Sequence, residues 1–364
     1  MEKGGLDFEV RFLSEVKVGI EGELEAKRFR DLISDVISKG ICSKCGMCVS
    51  SCQVHALVMT EEGPKRIGPC RGCEACYYGC PRSPAFSKEL LDAVMKAEHR
   101  DDVLGSYIKI VSARTTRGDV RARAQDGGVV TTLLIYAFEK GLIDGAIVAS
   151  TSAKEAWKPI PKVAFSPQEA LEAAGTKYAN SPNLIALKEA IYCYELNRVC
   201  VVGVPCQVAA ARNVKVQPKA ATKLGDKIAF IIGLFCMESF PYAKLVNYLS
   251  SHGIDISRVS KFDIKEGKFK VYVEGSEALS VPIKDLKNCV NDYCHVCRDL
   301  TSLYADISVG AIGSQHGWST VIVRTEEGAK LFDGAVQEGY LEVKDIGDGL
   351  EILKKIAKRK ASKK

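Results

Sequence analysis

The chain has 364 residues, of which 46% are hydrophobic and 26% charged, and this balance is typical of folded globular proteins. At ~100–200 residues per domain, the length accommodates two or three domains. The net charge is +6, but Lys354 to Lys364 hold seven positive charges and no acid, so the rest of the chain is nearly neutral. This excludes a basic footprint over the whole surface, and we expect no nucleic-acid partner. No apolar run reaches the ~18 residues that span a bilayer, and the start has no apolar signal-peptide core, so we expect a cytoplasmic protein that does not span a membrane.

Fifteen cysteines dominate the composition, and in a reducing compartment they indicate metal ligands rather than disulfides. Eight of them form two regular runs, Cys42-x2-Cys45-x2-Cys48-x3-Cys52 and Cys70-x2-Cys73-x2-Cys76-x3-Cys80-Pro81. In such runs three thiolates hold one [4Fe–4S] cluster, and the fourth ligates the partner cluster. The sequence therefore predicts one cluster on the first N-terminal quartet (Cys42, Cys45, Cys48 and Cys80) and another on the second N-terminal quartet (Cys52, Cys70, Cys73 and Cys76).

A pair of zinc sites is the alternative interpretation of these cysteines. Zinc sites rarely use so compact a run, which favours the clusters. One departure from the pattern is that Gln53, not proline, follows Cys52. Proline there shapes the turn and donates no ligand, so we expect cluster assembly to be retained.

The N-terminal part divides into three segments. Residues 1–40 are predicted to be a helical extension, because apolar residues recur at helical spacing over about 22–39: Leu24, Phe29, Leu32, Ile33, Val36 and Ile37. This helix either packs on the ferredoxin-like domain (residues 41–86) or docks a partner subunit. A polar linker is predicted over residues 87–106.

From residue 107 onward, short apolar runs alternate with helical segments, which predicts an α/β core with a mostly parallel sheet. The strands are predicted at Ile108–Ser112, Ala146–Ala149, Val199–Val204, Ile228–Leu234, Asp306–Gly310, Val321–Arg324 and Tyr340–Val343. The helices are predicted at Gly128–Lys140, Pro167–Ala174, Asn183–Leu196, Phe240–Ser250 and Ala329–Gln337. Val259–Pro282 is predicted to be an inserted β-hairpin that turns at Glu266-Gly267. This domain covers residues 107–345, and the basic tail (346–364) is predicted to be a frayed, solvated helix end or a segment attracted to an acidic partner.

The remaining seven cysteines suggest a third centre. Cys206 and Cys236 each follow a predicted strand, and ligands gather at the carboxyl ends of parallel strands. Cys294 and Cys297 form a further close pair, so a core quartet (Cys206, Cys236, Cys294 and Cys297) offers four thiolates for another [4Fe–4S] cluster. The alternative is isolated structural cysteines with one zinc pair. Cys193 and Cys200 are interpreted as inert core residues, and Cys289 competes with Cys294 as a ligand.

Six short motifs follow one another in order through the core. They are Gln125-Asp126-Gly127-Gly128, Gly175-Thr176-Lys177-Tyr178, Val204-Pro205-Cys206-Gln207, Cys294-x2-Cys297-Arg298-Asp299, Ala305-Asp306-Ile307-Ser308-Val309-Gly310 and Gly317-Trp318-Ser319-Thr320-Val321. Over residues ~108–340 the chain thereby resembles the coenzyme F420 hydrogenase/dehydrogenase beta-subunit family. With its paired N-terminal clusters it is more similar to the input subunit of the F420H2 dehydrogenase complex than to the hydrogenase beta subunit.

The resemblance implies an FAD in the α/β domain, a [4Fe–4S] cluster beside it, and coenzyme F420 as hydride donor or acceptor. It also implies partner subunits of a redox complex of the hydrogenase, dehydrogenase or membrane-complex type, in electron transport of the methanogenic kind, with this subunit peripheral on any membrane complex. The chemistry agrees: a deazaflavin exchanges hydride, clusters carry single electrons, and a flavin does both. We therefore expect an F420-dependent oxidoreductase that relays electrons through three clusters.

These motifs, with the helix that follows the first of them, contain the candidate cofactor contacts. Two glycines before a helix N-terminus suit a pyrophosphate, and a lysine suits a reduced, anionic flavin. The candidates are Gln125, Asp126, Gly127, Gly128, Thr131, Thr176, Lys177, Tyr178, Asp306, Ser308 and Trp318. A helix cap with nothing bound, a surface lysine and a core tryptophan are the competing interpretations of Asp126, Lys177 and Trp318, and Asp126 suits a cap or a ribose better than a phosphate. Two rival functions stay open: a related FAD/iron–sulfur reductase of a tetrapyrrole-type substrate, and an electron-carrier subunit without its own F420 site.

Overall fold

The structure, a computed structural model, describes residues 26–363. The beginning of the predicted N-terminal helix, with Leu24, therefore lies outside the described residues. Its remainder is helical, as α1 (Phe29–Leu32) and a π-helical turn (Ile33–Ile37). Phe29, Leu32 and Val36 are buried in one apolar cluster with cysteines of the N-terminal module. For this part of the helix the contacts favour packing on the module over docking a partner.

The cysteine-rich module has short regular elements. They are α2 (Met47–Ser50), an antiparallel pair β1 (Leu57–Met59) and β2 (Pro64–Arg66), and α3 (Ala75–Tyr78). Gly46 begins α2 with φ +97°, and a Cβ there would lie 2.8–2.9 Å from Ile185 and Pro182. Only glycine fits at this approach of the module to the core. The predicted linker is structured, with α4 (Lys88–Val94) and a hairpin of β3 (His99–Asp101) and β4 (Gly105–Tyr107).

An eight-stranded sheet and a separate three-stranded sheet follow. The strands are β5 (Lys109–Thr115), β6 (Gly145–Thr151), β7 (Pro159–Ala164), β8 (Val199–Gly203), β9 (Ile228–Leu234), β10 (Val259–Lys265), β11 (Lys268–Val273), β12 (Ser276–Pro282), β13 (Ile307–Gly310), β14 (Ser319–Val323) and β15 (Leu341–Lys344). The large sheet has the order β15-β5-β14-β13-β9-β8-β6-β7. β6, β8, β9 and β13 pair in parallel, β5 runs in the same direction, and β7, β14 and β15 run against them. The predicted α/β class with a mostly parallel sheet is confirmed.

Helices cover both faces of the large sheet. They are α5 (Gly118–Arg123), α6 (Val129–Glu139), α7 (Pro167–Glu172), α8 (Ile185–Tyr192), α9 (Pro205–Val216), α10 (Thr222–Gly225), α11 (Tyr242–Ser251), α12 (Glu326–Gln337) and α13 (Gly349–Ala361), with 3₁₀ turns at Ile256–Arg258, Ile283–Cys289 and Asp292–Cys294. Alternate residues of β8 enter opposite cores: Val199 and Val201 pack with α8 and α9, whereas Cys200 and Val202 pack with α6 and α12. Cys200 is thus a core residue, as predicted. The same prediction is wrong for Cys193, which is exposed directly after α8.

Three differences from the sequence prediction concern single elements. The inserted segment turns at Glu266-Gly267 as expected, but its last residues form a third strand, β12, so that it is a three-stranded sheet and not a hairpin. Strand β7 and helix α9 were not predicted.

The prediction of a frayed, solvated C-terminal end is wrong for Gly349–Ala361, which form the ordered helix α13. Leu353, Ala357 and Lys360 of that helix are buried. Among residues 26–363, no helix is both long and apolar enough to cross a membrane.

Candidate metal centres and cofactor site

The first N-terminal quartet surrounds a single cavity. Its four cysteines all line a space of about 340 Å³ that lies beside α2. Burial, together with the nearby Cys80 and Cys42 thiols, raises the pKa of the Cys45 thiol to about 12. Four thiols that disfavour one another's ionisation need a positive centre to be held as thiolates, and a metal cluster supplies one.

The second N-terminal quartet is arranged in the same way. Its four cysteines line a second cavity of about 360 Å³. Burial, together with the thiols of Cys73, Cys70 and Cys52, raises the pKa of Cys76 to about 12. Cys52, the last cysteine of the first run, therefore lies with three cysteines of the second run. The exchange of the fourth ligand between the two clusters predicts this position. Cys73 is exposed, so this centre lies at the surface.

The core quartet also comes together. Burial raises the pKa of Cys236, and the thiols of Cys294, Cys206 and Cys297 contribute. Cys206 begins α9 directly after β8, and Cys236 follows β9, so the carboxyl ends of two adjacent parallel strands bring these thiols side by side. The close pair consists of Cys294, which ends the 3₁₀ turn Asp292–Cys294, and Cys297 three residues later.

Cys289 faces elsewhere. Its thiol contacts the carbonyl oxygen of Lys244 at 3.9 Å, within the apolar cluster around the three-stranded sheet. Its pKa is raised by burial and lowered by Lys244, and no thiol is among the groups that shift it. These contacts favour Cys294 over Cys289 as the fourth core ligand.

The three quartets lie in series. Cys45 of the first N-terminal quartet is close enough to raise the pKa of Cys206 in the core quartet, after the effects of burial and of Cys297. Cys76 of the second N-terminal quartet similarly acts on Cys48 of the first. The order through the protein is therefore core quartet, first N-terminal quartet, second N-terminal quartet.

Direct hydrogen bonds hold the cysteine module against the core. The backbone N–H of Leu184 donates to the carbonyl oxygen of Cys45 at 3.1 Å. The Asn213 side chain donates to the Tyr78 carbonyl at 2.6 Å, and the Lys188 ammonium donates to the Cys52 carbonyl at 2.5 Å. Helices α8 and α9 therefore fix the backbone of both N-terminal quartets.

The donor sets fit iron–sulfur clusters. Within the described part of the chain, no group of three or more His, Cys, Asp or Glu side chains is arranged to hold a single metal ion. In a [4Fe–4S] cluster each thiolate binds its own iron, so the four sulfurs surround a volume instead of converging on a point. Four thiols around each N-terminal cavity meet that requirement.

The two predicted flavin-binding segments meet the three-stranded sheet. Gln125 donates to the Phe262 carbonyl at 3.1 Å and to the Asp263 carboxylate at 3.2 Å. Asp126 lies 3.6 Å from the Lys265 ammonium. Burial raises the pKa of Asp126, which Lys265 opposes and Asp263 reinforces. This loop is therefore tied to β10.

Tyr178 belongs to the same group of polar side chains. Burial raises its pKa, and the carboxylates of Asp263 and Asp126 raise it further. Lys177 instead donates to the carbonyl oxygens of Ala173 and Ala174 at 2.6 and 3.1 Å. Burial lowers the pKa of Lys177 to about 8, so it is not a surface lysine. Thr131 and Thr176 are half-buried.

The glycines of the first segment have a packing role. A Cβ on Gly127 would lie 2.5 Å from the Ala113 carbonyl and 2.7 Å from the Ser319 backbone nitrogen. Gly128 caps α6 with φ +70°. The two glycines thus let α6 begin directly against β5 and β14, whatever the loop binds.

Two further candidates, Asp306 and Ser308, form hydrogen bonds inside the core. The Asp306 carboxylate accepts from Arg212 at 2.5 Å, from the Ile231 backbone at 2.7 Å and from Thr325 at 2.8 Å. Ser308 is fully buried, accepts from Arg324 and donates to the Ser302 carbonyl. Both are thus occupied inside the core and do not join the group around Asp126.

Trp318 lies between two cations, with Arg114 and Lys344 over its ring at 4.6 and 4.2 Å. Its neighbour Ser319 accepts from the Gly127 backbone N–H at 3.0 Å. Trp318 is therefore adjacent to the first of the segments predicted to bind flavin, and it is half-buried and not a core residue.

Sequence reasoning missed residues that the fold brings to these centres. Asp263 and Lys265 come from the insertion, to which the sequence analysis assigns no role in the site. Arg82 acts on the thiols of both Cys80 and Cys206. Arg82 could have been found from the sequence, because it directly follows Cys80-Pro81. No sequence pattern indicated that Asp263 and Lys265 would lie close to Asp126.

Family models match most of the core. Residues 110–188 match the N-terminal part and residues 196–349 the C-terminal part of the coenzyme F420 hydrogenase/dehydrogenase beta subunit. The chain belongs to the coenzyme F420 hydrogenase/dehydrogenase beta-subunit family. Its relatives include subunits of F420-reducing hydrogenase and F420H2 dehydrogenase complexes.

The relatives differ in how much of the chain they cover. Coenzyme F420 hydrogenase subunit beta of Methanosarcina barkeri is 43% identical over 267 residues, which are 72% of this chain and 91% of that protein. An F(420)H(2) dehydrogenase subunit of Methanosarcina mazei is 33% identical over 346 residues, 90% of this chain and 91% of that protein. Coenzyme F420-dependent sulfite reductase of Methanocaldococcus jannaschii is 36% identical over 341 residues, 90% of this chain and 50% of that protein. A match to 90% of the chain necessarily includes the cysteine window of residues 42–80.

A solved structure has the same core fold. A chain in a structure of the F420-reducing [NiFe] hydrogenase complex from Methanosarcina barkeri superposes with a TM-score of 0.70 at 41% identity. The similarity covers 73% of this chain and 92% of that chain. The α/β core is therefore the shared part, and the cysteine module is additional to it.

Proposed function

We propose that this protein is an F420-linked oxidoreductase that exchanges hydride with coenzyme F420 at a bound FAD. Single electrons then pass through three [4Fe–4S] clusters to or from partner subunits. The observation that carries this proposal is the series of three cysteine quartets, linked at Cys206–Cys45 and at Cys48–Cys76. An enzyme that acted only on its own substrate would not need two more centres leading to the surface.

In this proposal the flavin binds at the carboxyl edge of the large sheet. FAD supplies the conversion between two-electron hydride transfer and one-electron transfer. Asp126 and Tyr178 present a carboxylate and a phenol from two loops that converge on β10. Lys177 uses two of its three ammonium donors on backbone carbonyls, which leaves one for an anionic group of the ligand.

The proposed flavin position lies at the same edge of the sheet as the core quartet. The loops after β5, β8 and β9 all leave the carboxyl ends of strands that run in one direction. In open sheets of this kind, that edge is where ligands bind. The core quartet is thus the first centre next to the flavin, and the exposed Cys73 marks the end that faces a partner.

The experiment mixes reduced F420 anaerobically with the full chain loaded with FAD and iron. We expect an excess of reduced F420 to bleach the flavin absorbance, because only a chain with its own F420 site accepts that hydride. Dithionite serves as the control that the clusters are reducible.

An unchanged flavin with reduced F420, together with clusters that dithionite reduces, would contradict the proposal. That result would favour an electron-carrier subunit or a reductase of another organic substrate.

A further inference from the structure

Helix α13 has an apolar face that ends in a lysine. Leu353, Ala357 and Lys360 are four and three residues apart, so they share one face of the helix. All three are buried, and Lys360 is only 1% exposed. Lysine is rarely buried to this degree without a partner of opposite charge. We therefore expect a negatively charged group beside the Lys360 ammonium.

The Lys360 ammonium lies against the core quartet. It donates to the carbonyl oxygen of Cys236. The thiols of Cys236, Cys297 and Cys294 and the carboxylate of Asp299 are close enough to act electrostatically on this ammonium. Asp299 is half-buried, and its Oδ1 atom is buried without a hydrogen-bond partner among the described residues. The lysine is thus fixed beside the ligand loops of this centre.

We propose that Lys360 is a positioning residue of the core centre, whose buried ammonium raises the reduction potential of the cluster held by the core quartet. This inference rests on the proposed function, because it requires that cluster. It gives the C-terminal helix a role in electron transfer: α13 brings a fixed charge to the centre next to the flavin.

The positive charge of Lys360 and its weak screening by solvent determine its effect on the cluster. Reduction adds one negative charge to the cluster, and a nearby positive charge stabilises the reduced form more than the oxidised form. Net charge and hydrogen bonding around the sulfurs are known determinants of cluster potential. Because Lys360 is buried, water and salt screen it weakly. By contrast, Arg66, which acts on Cys70 of the second N-terminal quartet, is exposed.

The test compares three variants of the full chain in redox titrations followed by electron paramagnetic resonance. Lys360→Gln keeps a hydrogen-bond donor but removes the charge, Lys360→Arg keeps the charge, and Lys358→Gln removes an exposed charge from the same helix. The core signal is the one that a Cys294→Ser chain lacks. We expect Lys360→Gln to weaken reduction of the core cluster about tenfold, which is about 59 mV for one electron. Lys360→Arg and Lys358→Gln should stay near the wild-type potential.

Each outcome decides the inference. Loss of core iron in Lys360→Gln but not in Lys360→Arg would also support it, because the charge would then be needed to hold the cluster. An unchanged potential in Lys360→Gln, or equal effects of Gln and Arg, would overturn it. A wild-type chain with no core signal would instead refute the proposed function, since the inference has no cluster to act on.

Discussion

Cys294→Ser is expected to stop electron transfer from the flavin to the N-terminal clusters while reduced F420 still bleaches the flavin. In the proposed electron path the core quartet lies between the flavin and the first N-terminal quartet, whose Cys45 is close to Cys206. Loss of one of its thiolates removes or disables the only described centre at that point. Rapid mixing with reduced F420, followed at the flavin band and by the cluster signals, measures both steps.

Cys289→Ser is the matched control, because this cysteine is close in sequence but faces away. Its hydroxyl can donate to the Lys244 carbonyl, as the thiol does now. We expect normal transfer and a full core signal in this variant. Loss of the core cluster in Cys289→Ser with retention in Cys294→Ser would reverse the ligand assignment.

Arg212→Ala is expected to destabilise the chain by about 3–5 kcal/mol, which is typical of removing one partner from a buried ion pair. Arg212 and Asp306 are almost fully buried and only 2.5 Å apart. Arg212 also donates to the Tyr304 carbonyl. The Asp306 carboxylate ties α9, β9 and α12 together, so the mutation leaves a charge inside the core without its cation.

Urea unfolding of the reconstituted protein, followed by circular dichroism, measures this loss. Arg258→Ala is the control, because its ion pair with Glu274 is exposed and such pairs contribute about 0–1 kcal/mol. Equal losses in the two variants would show that the buried pair is not critical to the fold.

Spacing and strand order were the reliable signals in the sequence. The runs of cysteines predict which four thiols share each N-terminal cavity, because a cluster imposes its own geometry on the chain. Cys206 and Cys236 were predicted to meet because parallel strands end at one edge, and the structure brings them together. Cluster geometry and the direction of parallel strands impose these placements whatever the surrounding residues are.

Residues whose role depends on tertiary packing could not be predicted in the same way. Asp306 lies within one of the motifs and was predicted to contact the cofactor. Its carboxylate instead accepts three hydrogen bonds inside the core. Lys360 stands in a run of lysines that reads as solvated, and only its spacing from Leu353 and Ala357 hints at a buried face. The contribution of Asp263 and Lys265 to the flavin edge depends on how the insertion folds back, which no local pattern specifies.

The metal and flavin content of the anaerobically purified full chain tests the account most directly. Three [4Fe–4S] clusters predict about twelve iron and twelve acid-labile sulfide per chain, together with one FAD. Inductively coupled plasma analysis, sulfide assay and flavin extraction give these numbers from one sample. About eight iron would mean that the core quartet holds no cluster, and zinc in place of iron would contradict the electron-transfer function itself.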